Sequence, residues 1–333
     1  MNLRTAMSPM SRILRPVALA VLAWAGASAA LAQAPAWPTK AVKILVGSPP
    51  GGPSDITARA FAESLGRRTG KPVVVENRPG AGNNLAAGAA AKAEPDGHTL
   101  VLSPDTVLTV NPLVYGSQAF DARAELVSVS VLTSFSQMLV CNPATGAKTA
   151  ADLVAKAKAG RLTYASGGPG VPGHLAAEMF LQSTGARMEH VPYRGPAPAT
   201  LAVLSGEVNC GFLATPTVIQ HVKAGKLDAL AVSAGTPSPL APDVPTLAKA
   251  LNQPNLDVSF RLVLQTAKGT PAAALAEIER AAIDIMKEPE LRTRLLASDL
   301  VAQGTSSAQA QQLMQAEIVR WEPLVKRLDI KAN

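Results

Sequence analysis

The chain has 333 residues, with 31 Lys and Arg against 24 Asp and Glu, a formal net charge of +7, four His and two Cys. Its cationic residues are scattered, without a basic run or a basic stripe interleaved with aromatics, so nucleic-acid binding has no support. Two cysteines in a chain of this length exclude a disulfide framework as the basis of the fold.

The N-terminus carries Arg4, Arg12 and Arg15, then an uncharged apolar run over 17–30, then Ala30-Leu31-Ala32 before Gln33. Basic, apolar, small is the order of a cleavable secretory leader, and the run is short of the roughly 20 apolar residues of a membrane span. Residues 1–32 are therefore expected to be removed and the mature chain to work in the periplasm. No Cys stands at the end of the apolar run, so lipid attachment is not indicated. The leader holds three Arg and no acid, which leaves 28 basic against 24 acidic residues and a mature charge of +4.

From there short apolar runs alternate with helical segments. A strand is expected over 41–47, a helix over 54–68, a strand over 73–77, a small-residue helix over 84–93 and a strand over 99–103. The middle repeats the pattern, with strands over 162–166, 190–193, 208–212 and 229–232 and helices over 149–159, 172–184, 198–205 and 216–224. Such alternation predicts an α/β chain with parallel sheets covered by helices. An apolar run over 262–265 leads to Gly269-Thr270-Pro271, where Thr270 is expected to cap a helix over 271–286 that starts with Pro. A last helix is expected over 307–328, carrying Trp321. Cys141 and Cys210 both sit in apolar, strand-like contexts, and either a bridge or two separately buried thiols fits them.

Three strand-to-helix loops are rich in Gly and Pro. The first runs from Ser48 through Pro50, Gly51, Gly52 and Ser54 to Asp55. Glycines let a ligand approach the backbone, and a helix start offers unpaired N–H groups with partial positive charge, a seat for a carboxylate. A tight turn with Ser54 or Asp55 as an N-cap is the alternative. The second loop, over 166–174, has the same architecture and contributes Ser166, Gly168, Gly170, Val171, Gly173 and His174. Two such helix starts facing across a cleft would clamp a carboxylate-bearing solute. The third loop, over 78–84, places Gly80 and Gly82 as in a dinucleotide fingerprint, but Leu85 stands where the third glycine belongs, and it reads as a structural turn. There is no G-x-S-x-G, no H-E-x-x-H and no Walker loop; His98, His174, His190 and His221 are never four apart, and Ser166 near His174 has no identifiable acid partner. No cofactor and no metal are expected.

Taken together, Pro49-Pro50-Gly51-Gly52-Pro53-Ser54-Asp55, Val73 to Gly82, Pro95-Asp96-Gly97-His98, Tyr164-Ala165-Ser166, His190-Val191-Pro192-Tyr193-Arg194-Gly195 and Pro242-Asp243-Val244-Pro245-Thr246 resemble the Bug family, periplasmic substrate-binding receptors of tripartite tricarboxylate transporters. The resemblance runs from Trp37 to Trp321. It implies a two-lobed periplasmic-binding-protein fold, a type II-like Venus flytrap with two crossing strands, and no catalysis. Lobe 1 is expected over 33–138 and 261–333, and lobe 2 over 139–260. It further implies a small carboxylate ligand, a membrane permease as partner and a monomeric receptor. A sensing protein without a transport role and a secreted hydrolase are the alternatives. Four positions depart from the family pattern in the expected cleft: Ser48 replaces a frequent aromatic, Arg261 a Trp, Asp105 a small residue and Leu213 a polar one. The second-lobe loop also has Gly167, Val171, Pro172 and Gly173 where hydroxyls are usual. Arg261 is accordingly expected to take one end of the ligand, with Asp55 or Asp105 serving a polar group at the other.

Overall fold

The computed structural model describes residues 37–116, 120–254 and 256–332. The leader and its junction before Gln33 lie outside them. The strands are β1 (Val42–Val46), β2 (Val73–Asn77), β3 (Thr99–Pro104), β4 (Leu126–Phe135), β5 (Gln137–Cys141), β6 (Thr163–Ser166), β7 (Glu189–Pro192), β8 (Cys210–Ala214), β9 (Asp228–Val232), β10 (Phe260–Ala267) and β11 (Val301–Ala302). They form two sheets, one in the order β11-β4-β10-β3-β1-β2 and one in the order β7-β6-β8-β5-β9.

Aliphatic β1 (VKILV) is buried except at Lys43 and pairs in parallel with β2 and β3, as expected of a strand covered on both faces. Helix Pro53–Thr69 follows it, with Asp55 in its first turn and Arg67 and Arg68 in its last, signs that suit the helix dipole. Its inner face carries Ala58, Phe61, Ala62 and Leu65, spaced for one helical stripe. Burying Phe61 or Leu65 stabilises the lobe by about 2–3 kcal/mol each. In the other sheet, helix Pro172–Thr184 buries Leu175, Ala176 and Phe180, and Phe180 meets Phe212 of β8 with ring centroids 5.6 Å apart.

The sheets are not purely parallel, which corrects the sequence expectation. β10 returns antiparallel between β3 and β4, and β5 is antiparallel to both β8 and β9. The chain passes from one sheet to the other at Ser136, between β4 and β5, and returns through 233–259. Ser233 ties the two passages together: its Oγ accepts from the Gln137 amide at 2.9 Å and donates to the Val258 carbonyl at 2.7 Å. Phe135 and Phe260 pack beside this point, and Phe260 stacks on the buried Trp321 of helix Ser307–Leu328.

Two local details differ from the sequence reading. Thr270 does not cap the following helix, Ala272–Ile285; its hydroxyl donates back to the Ala267 carbonyl at 2.8 Å, and Pro271 is the N-cap. Cys141 and Cys210 are directly opposed on β5 and β8 and form a disulfide.

Candidate functional site

A cavity of about 320 Å³ lies where the two sheets face each other, walled by the loops that follow β1, β2, β3, β6, β7 and β8. The carboxyl ends of strands are where open α/β sheets leave a crevice. Four helices begin on this wall: Pro53–Thr69, Pro172–Thr184, Pro196–Ser205 and Thr215–Lys223. Each has Pro in its first turn, and none has a side-chain cap. Their starts border one space, and the partial positive charge of a helix start favours an anion there. Arg194, exposed at the rim, is the only charged side chain among the described lining residues, and it pairs with no described residue. Phe135, Phe212, Leu213 and Val171 supply apolar wall.

The loops touch over this space. Tyr115 donates its hydroxyl to the Pro169 carbonyl at 3.1 Å, and burial pushes that phenol up to about 12. Gly195 lies so close to Pro49 that a Cβ on it would stand 2.6 Å from the Pro49 Cδ.

Of the residues expected from sequence, Ser48, Ser54, Gly168, Val171, Gly173 and Leu213 line the cavity. The others are placed differently. Pro50 and Gly51 are exposed on the first loop, and buried Gly52 faces Pro196. The Asp55 carboxylate turns away: it accepts from the Gly51 amide at 3.0 Å, from Arg59 at 2.9–3.0 Å and from Asn77 Nδ2 at 2.9 Å. Burial alone would raise its pKa, but Arg59, the Gly51 amide and Asn77 outweigh burial and hold it below the usual range. In this structure Asp55 braces the loop, and its carboxylate is not among the groups lining the cavity.

Ser166 is fully buried, and its hydroxyl lies 2.6 Å from His190 Nε2 and 3.1 Å from the Gly168 carbonyl that it donates to. Its histidine partner is therefore His190, not His174. His174 accepts the Gly170 amide on Nδ1 at 3.0 Å and stacks on His190, ring centroids 4.1 Å apart. Gly170 packs against Val110 and Val114. Burial lowers His190 to about 4, and burial with the neighbouring His190 lowers His174 to about 3, so both rings are neutral supports beneath the loop.

Arg261 and Asp105 also lie off the cavity wall. Arg261 donates to Glu317 at 2.7 Å and stands 3.9 Å from Asp105, whose side chain is wholly buried and accepts from the Arg261 amide at 3.1 Å. The guanidinium, about a quarter exposed, is thus held between two acids in this structure. Burial, and then the charge of Glu317, raise Asp105 to about 7.

Other wall residues were not expected. Gly80, Ala81, Gly82 and Asn83 line the cavity, so the third glycine loop is more than a structural turn. Its parallel strand β2 lies beside β1, which brings both loops to one end of the sheet. Arg194, Gly195 and Pro196 form a fourth strand-to-helix loop of the same kind. Gln137, at the start of β5, carried no motif to reveal it.

The profile of the tripartite tricarboxylate transporter family receptor matches residues 57–330. The chain belongs to this receptor family. BugT of Bordetella pertussis is similar to it over 330 residues at 31% identity, covering 97% of this chain and 99% of BugT. Among solved structures, a periplasmic transporter at 30% identity superposes with a TM-score of 0.84, covering 89% of this receptor and 99% of that chain. Rpa4515 of R. palustris with adipate gives 27% identity and a TM-score of 0.85, covering 89% and 100%. MatC of Rhodopseudomonas palustris with bound malate gives 26% and 0.80, covering 87% and 100%. The receptor therefore has the two-lobed periplasmic-binding-protein architecture of the Bug type. Among the described residues no helix is long and apolar enough to cross a membrane.

Proposed function

We propose that this receptor captures a small carboxylate in the cavity between its lobes and hands it unchanged to a membrane permease of a tripartite tricarboxylate transporter. The observation that carries this reading is that four uncapped helix starts and one cation without a partner among the described residues, Arg194, border a cavity whose described lining residues include no acid. Relatives of 27% and 26% identity hold adipate and malate, which are carboxylates. In this reading the lobes are 33–138 with 261–333, and 139–260, and Ser48, Ser54, Gly168, Val171, Gly173, Leu213 and Arg194 contact the solute. The receptor acts as a periplasmic monomer beginning at Gln33. A catalytic role is disfavoured because Ser166, the one serine close to a histidine in these loops, is sealed from solvent and already bonded on both sides.

Native mass spectrometry of receptor purified from the periplasm without denaturation tests this. The expected result is an intact mass starting at Gln33 and a retained carboxylate that is released unaltered on unfolding. A retained solute without a carboxylate, or one chemically converted during incubation, would overturn it.

A further inference from the structure

Three polar side chains on the cavity wall have no hydrogen-bonding partner among the described residues although each is more than nine-tenths buried: Ser54 and Gln137 at 3% exposure and Asn83 at 8%. Burying such groups without a partner is unfavourable unless something else satisfies them. Gln137 is the most telling. Its backbone is fully engaged, donating to Ser233 Oγ at 2.9 Å and accepting from the Ser233 amide at 2.8 Å, so the carboxamide is not needed to hold β5. Its Oε1 lies 3.5 Å from where a Cβ on Gly173 would be, which sets the idle amide against the first turn of helix Pro172–Thr184. That helix start has no side-chain cap of its own. A carboxylate seated there accepts from the amide and from the free backbone N–H groups together.

The rest of the wall constrains what the carboxylate is attached to. Phe135, Phe212, Leu213 and Val171 favour an apolar body, and no Asp or Glu is among the described lining residues to meet an ammonium. Of the two acids that follow wall residues in the chain, Asp55 is saturated by Arg59, Asn77 and the Gly51 amide, and wholly buried Asp105 accepts from the Arg261 amide. An amino group buried in this space would be left uncompensated.

We propose that Gln137 is a specificity-determining contact for the ligand carboxylate, and that the receptor takes alkyl or aryl carboxylates that carry no amino group. This rests on the carboxylate-receptor reading above. The test is calorimetry on ligand-stripped receptor with hexanoate and 3-phenylpropionate, each against the same skeleton bearing an α-amino group, norleucine and phenylalanine, with adipate and malate as further probes. The expected result is binding of hexanoate, 3-phenylpropionate or adipate at least a hundredfold tighter than either amino acid. Gln137→Met should weaken the best of these probes at least tenfold, and Gln137→Glu should abolish its binding by placing an anion beside it. The melting temperature of unliganded Gln137→Met should match the parent, since only the idle amide is removed. Amino acids binding as well as their deaminated counterparts, or parental affinity in Gln137→Met, would overturn the inference. If malate alone binds, the assignment of an apolar ligand body falls and the carboxylate reading stands; if none of these carboxylates binds, the inference falls, while the carboxylate reading is decided by the retained solute.

Discussion

Gly195→Ala separates closure of the cavity from the folding of its walls. In the structure a Cβ at this position would sit 2.6 Å from Pro49 Cδ, on a loop that belongs to the other sheet. Carbon atoms rest at about 3.5–4.0 Å, so the two loops must part by roughly 1 Å to admit a methyl group. Gly195 also has φ +113, where a side chain adds about 1–3 kcal/mol of local strain. Gly185→Ala controls for that strain, because Gly185 has φ +64 and nothing within 4 Å of the added atom. Both variants should melt a few degrees below the parent. Only Gly195→Ala should lose affinity for the retained solute, tenfold or more (about 1.4 kcal/mol), and show a larger radius of gyration in X-ray scattering of the loaded receptor. Parental affinity in Gly195→Ala, or an equal loss in Gly185→Ala, would refute the reasoning that these loops must meet for binding.

Three further perturbations follow from groups described above. Asp55→Ala removes the shared acceptor of Arg59, Asn77 and the Gly51 amide and should cost about 1–3 kcal/mol, with faster hydrogen exchange at Gly51; because its pKa is held low, the stability it adds is present above about pH 4 and lost as pH falls through the folded value. Asp105 is raised to about 7, so the folded state loses stability as pH rises from about 4 through 7; Asp105→Asn should therefore raise the unfolding free energy more at pH 8 than at pH 5, the gain being at most about 4 kcal/mol, and an equal gain at both would contradict the burial argument. Replacing both Cys141 and Cys210 with Ala opens a link between residues 69 apart and should lower stability by about 4 kcal/mol in chemical denaturation while leaving solute affinity close to parental; no change in stability would contradict a formed bridge.

Much of this architecture is local enough to be read from the residues. Segments such as 73–77 and 307–328 announce themselves by β-branched density or by helical spacing, and the structure places a strand and a helix over those same residues. β4 does not, because its sequence LVSVSVLTSF mixes Val with hydroxyl residues that look solvent-facing. In the fold Ser130 donates to the Thr305 carbonyl at 2.8 Å and the Val131 amide donates to Thr305 Oγ1 at 2.9 Å, partners more than 170 residues away. The disulfide was undecided for the same reason: the register of β5 on β8 joins residues far apart in the chain.

The wall of the cavity was partly legible because a Gly/Pro strand-to-helix loop shows in sequence, as at Ser48 and Gly168. Charge misled where it drew attention first. The Arg261 guanidinium is engaged by Glu317, which lies 56 residues away on a different element, and the Arg261 amide by Asp105. Gln137 carries no local mark, because its place against the first turn of helix Pro172–Thr184 depends on residues far along the chain.

The most direct test of the central claim is a crystal structure of the receptor with the solute it retains from the periplasm. A carboxylate enclosed between the two sheets, with oxygens within hydrogen-bond distance of at least one uncapped helix start among those at Pro53, Pro172, Pro196 and Thr215, is the predicted result. A solute bound elsewhere on the molecule, or held in the cavity without an anionic group against those helix starts, would contradict the account.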